Sequence, residues 1–174
     1  NKETSDACFY LQLAVTGNAS KIPGMNDTGT CKDAYRMTVS DADLTISSPS
    51  AKGILNGGYD LAERIGYLFL YPGLDGEWAP AFDQLSALII GDEIVSPRFP
   101  YRGVFWEGKN ADDFTDEEWL RFYAKLRFNA LRHEIDDLPL AEELGLRLEV
   151  GGHDLSKLIA REHFHEHPEW YRMV

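Results

Sequence analysis

The sequence predicts an α/β fold in two parts. A small, sandwich-like α/β domain occupies residues 1–96, and strand–helix repeats of the β/α-barrel kind occupy residues 97–174. Two observations carry this. Tyr101 to Trp106 is a short apolar and aromatic run that starts just after Pro100, which is how a strand covered on both faces reads. Behind it the pattern becomes helix, strand, helix, strand, helix, as right-handed βαβ units with a parallel sheet require. Pro97 and Pro100 cannot sit inside a central strand, so that first strand begins after Pro100.

In the first part, Thr4 and Ser5 are suitable caps, and Ala7, Leu11 and Ala14 recur at helical spacing, so a helix is expected up to Gly17-Asn18. Residues 18–34 are rich in Gly, Asn, Pro, Asp and Thr and read as loop. Tyr35 to Val39 alternates as a half-buried strand does, Ser40 to Asp43 turns the chain, and Leu44 to Ile46 returns it as a β-hairpin. Ser48-Pro49-Ser50 opens a second helix with Ile54, Leu55, Tyr59, Leu61, Ala62 and Ile65 on its apolar side, closed by Gly66. Gly53, Gly57 and Gly58 within it suit either a phosphate loop or close packing of helix on sheet. No Gly-Lys-Ser/Thr follows, which favours packing. Tyr67 to Leu70 is expected as a further strand of the same sheet, stopped by Tyr71-Pro72-Gly73, and Leu88 to Val95 finishes the domain or links it onward.

In the second part, Asp112, Asp113 and Thr115 precede a helix whose first turn holds Asp116, Glu117 and Glu118, where carboxylates suit the helix dipole. Trp119, Leu120, Tyr123 and Leu126 form its inner face. Asn129 to Glu134 reads as the second strand, Leu138 to Leu144 as a short helix ended by Gly145, and Leu146 to Val150 as the third strand. Leu155 to about His165 reads as a third helix. A complete eight-unit barrel takes roughly 200 residues or more, and this part has room for three units. Either the sheet closes in another way or the sequence is a portion of a longer one.

The 174 residues are 44% hydrophobic, enough for a packed core, and no apolar run approaches the roughly 20 residues of a membrane span. A formal net charge of −12 speaks against a nucleic-acid partner. The chain starts with Asn1 and shows no signal peptide, as a processed or trimmed chain would. Cys8 and Cys31 can form one disulfide or remain thiols. Asn18-Ala19-Ser20 and Asn26-Asp27-Thr28 fit the glycosylation sequon, a triplet common by chance.

Several stretches resemble a family of glycoside hydrolases. Gly53 to Tyr67, followed by Tyr71-Pro72-Gly73 and Glu77-Trp78-Ala79-Pro80, is similar to the domain that precedes the catalytic barrel in β-N-acetylhexosaminidases, α-glucuronidases and a family of bacterial endo-β-N-acetylglucosaminidases. Tyr10-Leu11-Gln12 and Thr16-Gly17 resemble that domain's first helix, so the strand usually before it is expected to be missing. Phe99-Pro100-Tyr101-Arg102-Gly103 matches the entry to barrel strand one, Gly152-His153 the exit of strand three, and His167-Pro168-Glu169-Trp170-Tyr171 a run typical of the endo-β-N-acetylglucosaminidases. The resemblance implies a portion of a longer enzyme, holding the first three β/α units of a TIM barrel. Phe105-Trp106-Glu107 stands where hexosaminidases have Leu-Asp, and His133 lies one position early relative to their strand-two histidine.

Barrel active sites lie at the C-terminal ends of the strands, which here are Trp106 and Glu107, His133 and Glu134, and Gly152 to Asp154. The resemblance implies substrate-binding roles for Arg102 and His153. An arginine fork suits paired sugar hydroxyls and Trp106 the apolar face of a pyranose; Glu107 and His133 complete the candidate set. The plain alternatives are a structural ion pair for Arg102 and a core histidine for His133. His163, His165 and His167 alternate, so on a helix they do not converge on one metal ion, and His-Glu-x-x-His is absent. No metal and no cofactor are expected.

Glycoside hydrolysis needs two carboxyl groups, or one acid and the substrate's acetamido group. In the resembled families the acid comes from a later strand, beyond residue 174. The expectation is the N-terminal portion of a secreted, periplasmic or cell-surface bacterial hydrolase of N-acetylglucosamine-containing glycans, inactive by itself and able to associate through an exposed barrel edge. The alternative is a non-catalytic carbohydrate-binding or assembly module.

Overall fold

A computed structural model describes residues 10–26, 31–40, 43–81, 91–105, 114–132, 138–149 and 161–171. Among them, β1 (Tyr10–Val15), β2 (Tyr35–Ser40) and β3 (Asp43–Ser48) build the first sheet. The expected hairpin is β2–β3, with Met37 opposite Ile46 and Val39 opposite Leu44. The segment expected as the first helix is instead a strand: β1 runs parallel to β3, with Leu11 opposite Leu44 and Leu13 opposite Ile46. Leu11, Leu13 and Val15 alternate, while Leu11 and Ala14 also fit a helix; over so short a stretch both periods are satisfied, and pairing with β3 decides. Thr4, Ser5 and Ala7 lie outside the described residues.

One face of this sheet carries α1 (Ala51–Arg64), capped by the Ser50 hydroxyl, which accepts from the Gly53 amide at 3.0 Å. Tyr35, Met37 and Ile46 form the core beneath it, with Ile54, Leu61 and Val95 packed around them. The close-packing reading holds for two of the three helical glycines. A Cβ on Gly53 would lie 2.7 Å from the Ala34 carbonyl oxygen, and one on Gly57 would lie 2.6 Å from Ile46 Cγ2. These glycines, one turn apart, let the helix backbone lie on β2 and β3; Gly58 faces open space.

Tyr67 to Leu70 does not join the first sheet as expected. Its core, β4 (Leu68–Phe69), pairs antiparallel with β5 (Glu77–Trp78) in a separate hairpin. The Tyr71-Pro72-Gly73 turn returns the chain within a few residues, so the local partner is reached with less loop-closure entropy than a distant strand. The fourth place in the sheet goes to β6 (Glu93–Val95), giving the order β1-β3-β2-β6.

The second sheet has β7 (Gly103–Phe105), β8 (Ala130–Arg132) and β9 (Arg147–Leu148), parallel and adjacent in chain order. Between them run α2 (Asp116–Lys125), which starts in a capping box of Thr115 and Glu118, and α3 (Leu138–Glu143). Leu120, Tyr123, Ala124, Leu131, Leu140, Ala141, Leu144 and Leu146 form the larger core, against which Val104 and Leu148 pack. Leu126, expected on the inner face of α2, is its exposed C-cap, and Ala124 is buried instead. Leu55 and Tyr59 of α1 also pack on this core, so α1 lies between the first sheet and the helices of the second. Of the expected third helix, the described end, Arg161–His165, is a 3₁₀ turn.

Candidate functional site

Of the five side chains singled out in the sequence, only Arg102 falls among the described residues; Trp106, Glu107, His133 and His153 lie outside them. Arg102 immediately precedes β7, at the N-terminal edge of the parallel sheet, opposite the end where barrel sites form. Its guanidinium donates to three acceptors: the Arg127 carbonyl (2.9 Å), the Phe99 carbonyl (2.9 Å) and Asp33 Oδ2 (2.7 Å). Asn129 closes the cluster. It accepts from the Arg102 amide at 2.8 Å and donates to Asp33 Oδ2 at 2.7 Å and to the Pro100 carbonyl at 2.8 Å. The Arg102 and Asp33 side chains are only 18% and 13% exposed. The geometry is that of a structural tie, the plain alternative of the sequence reading, and it runs from the second sheet to the loop before β2.

Other polar contacts follow the same seam. Lys52 on α1 is 8% exposed and donates to the Leu144 carbonyl at 3.0 Å, just past the end of α3, where a cation meets the negative end of the helix dipole. Burial pushes its ammonium down to about 8; Asp33 opposes the shift and Arg102 adds to it. Arg127 binds Glu63 at 2.6 Å, and Lys125 pairs with Glu77. Desolvation with the Asp60 carboxylate raises the Tyr35 phenol well above its usual range.

The other face of the parallel sheet is polar and exposed at Tyr101, Gly103, Arg147 and Glu149, while Ala130 within it is buried. Alternation along β8 and β9 sends Leu131 and Leu148 toward the helices and Arg132, Arg147 and the following Glu149 to the far side. Gly103 and Ala130 lie on that same side, in register with each other and with Arg147. Tyr101 folds back across Gly103, where an added Cβ would stand 2.6 Å from the phenol oxygen, and its hydroxyl donates to Glu149 Oε2 at 2.8 Å. That bond raises the phenol's pKa, so it stays a donor across the neutral range. The sequence reading missed Tyr101 and Glu149 as site residues. The signal was the polar alternation Arg147-Leu148-Glu149, unusual in a parallel strand.

Beyond β9 lies a groove of about 570 Å³ lined by Leu138, Glu142, Gly145, Leu146, Arg147, Leu148 and Glu149. The Arg147 and Glu149 amides donate to the Asn129 and Leu131 carbonyls, so the Leu148 N–H and C=O turn away from β8, toward this groove. The histidines make an aromatic cluster: the His167 ring stacks on Trp170 at 3.9 Å and 6°, with Nδ1 3.1 Å from Glu169 Oε1, and His163 meets Trp170 edge to face. Among the described residues no group of three or more His, Cys, Asp or Glu is disposed to hold a metal, and no helix is long and apolar enough to cross a membrane. Cys31 is half-buried, and Cys8 lies outside the described residues. No protein-family model matches the chain, and no curated protein matches it either.

Proposed function

We propose that the chain is the N-terminal portion of a glycoside hydrolase acting on N-acetylglucosamine-containing glycans, with sugar bound on the open face and at the C-terminal ends of β7, β8 and β9. The supporting observation is the arrangement of the second sheet. Three parallel strands follow one another in chain order, helices cover one face, and the other face is polar and open. Parallel strands joined in chain order by helices on one face support the barrel reading, in which chemistry sits at the strand ends, where Trp106, Glu107, His133 and His153 fall in the sequence. The choice of glycan, and of a secreted, periplasmic or cell-surface setting in a bacterium, rests on the motif resemblance. On this reading the general acid belongs to a later strand, and its absence lowers turnover by about 10²–10⁴-fold.

The test compares the 174-residue chain with a C-terminally extended one on N-glycoprotein, an aryl N-acetylglucosaminide and glucuronoxylan. Release of N-acetylglucosamine-containing sugar by the extended chain alone is the expected result. Turnover by the 174-residue chain would move the acid into it. A second reading, a non-catalytic carbohydrate-binding or assembly module, draws on the groove beside β9, where the Leu148 backbone groups turned away from β8 suit an added strand. Sugar binding without hydrolysis by either chain would favour it.

A further inference from the structure

We infer that Glu149, with Arg147 and Tyr101, forms a subsite for the hydroxyl groups of a neutral sugar ring on the open face of the parallel sheet. The inference rests on the glycan reading above and assigns residues to it. Parallel strands are ordinarily apolar on both faces, because both are covered. Here the helix-facing side keeps that rule with Val104, Leu131 and Leu148, while the far side holds a buried Ala130 and carries Gly103, Arg132, Arg147 and Glu149 around it. Charged side chains on a face that a barrel would enclose need polar partners there.

The local build favours a hydroxyl-bearing ligand. Gly103 leaves a low floor over β7, and the Tyr101 ring, 52% exposed, lies across it. The phenol holds one oxygen of Glu149, which fixes the plane of the carboxylate and leaves the second oxygen to accept. Arg147, two residues earlier on the same face, is exposed and brings only donors. Neighbouring hydroxyls of a pyranose each donate and accept, so a carboxylate beside a guanidinium meets both needs. An anion would be repelled by Glu149, and an amine by Arg147.

The experiment titrates the 174-residue chain with N,N′-diacetylchitobiose and xylobiose, with inorganic phosphate as a control, by calorimetry and amide NMR. The expected result is disaccharide binding that perturbs the amides of Gly103, Leu148 and Glu149. Glu149→Gln and Arg147→Gln should each weaken it by about tenfold, and Tyr101→Phe by less. All three positions are exposed, so unchanged unfolding midpoints are expected and checked. Equal disaccharide affinity in wild type and variants would overturn the subsite while leaving the glycan reading in place. Phosphate binding lost on Arg147→Gln, without disaccharide binding, would make the face an anion site and overturn it too. No disaccharide binding by the 174-residue chain would overturn the subsite, while the glycan reading is decided separately by hydrolysis with the extended chain.

Discussion

Arg127 sits at φ 64°, the left-handed conformation that Gly66 and Gly145 adopt after the other two helices. An arginine there is strained by about 1 kcal/mol, and its contacts explain its presence: Glu63 and Asp60 on α1 receive its guanidinium, and its carbonyl receives Arg102. Arg127→Ala loses the ion pairs and keeps the strain, whereas Arg127→Gly loses both. The glycine variant should be the more stable of the two by about 1 kcal/mol in urea unfolding; equal midpoints would contradict a left-handed residue 127. Arg102→Lys should cost about 2 kcal/mol, since one ammonium cannot serve three acceptors held in a fork. A loss of sugar affinity with no loss of stability would restore Arg102 to the binding residues. Two of the three partners of Arg102 stand 25 and 69 residues away, so the short motif around it, which holds only the Phe99 carbonyl, carried no trace of those two. Lys52 gives a pH test. Its folded pKa lies below the unfolded value near 10.5, so between about pH 8 and 10.5 the unfolded chain binds the extra proton and stability rises with pH. Relative to Lys52→Met, wild type should gain up to about 3 kcal/mol across that window. Taking the difference removes the Tyr35, Tyr59 and Tyr123 phenols, whose raised pKa values work the other way above pH 10. A flat difference would mean that Lys52 is hydrated.

Elements set by local chemistry were legible in the sequence. The β2–β3 hairpin, the Ser50 and Thr115 caps, and the glycines that end α1 and α3 all depend on residues within one turn of each other. Elements set by pairing were not. β1 is a strand because β3 lies beside it, and β4 takes β5 rather than the first sheet because a turn delivers it there. The open face was half legible: its alternation is written in Leu131-Arg132 and Arg147-Leu148-Glu149, but its meaning needs the register that puts Tyr101 over Gly103. Among the described residues β9 has one partner strand, and its other edge faces the groove beside Leu138, which is 52% exposed. An edge without a second partner strand is a template for pairing with another chain. Sedimentation should therefore show concentration-dependent association, weakened by Leu138→Lys, which places a charge at the groove without touching the core. A monomer at every concentration, in both forms, would show that the edge is covered.

At the scale of the whole molecule, the two sheets are joined by more than a linker. α1 is packed on the first sheet through Gly53 and Gly57 and on the larger core through Leu55 and Tyr59. Lys52, Arg102, Asn129 and Arg127 tie the same layers with buried or half-buried polar bonds. Broken singly, such a bond leaves a polar group without its partner in a partly dry seam, at about 1–3 kcal/mol.

A helix that belongs to both cores carries a thermodynamic consequence. α1 cannot leave one sheet without exposing the other, so α1 and the two sheets are expected to melt as one cooperative unit. Calorimetry of the chain should give a single transition with equal van't Hoff and calorimetric enthalpies. Amides in β2 and β3 should exchange with the same opening free energy as those in β8, as one foldon does. Two resolved transitions, or β8 amides exchanging while β3 stays protected, would show that the halves unfold separately and that the contacts through α1 are too weak to couple them.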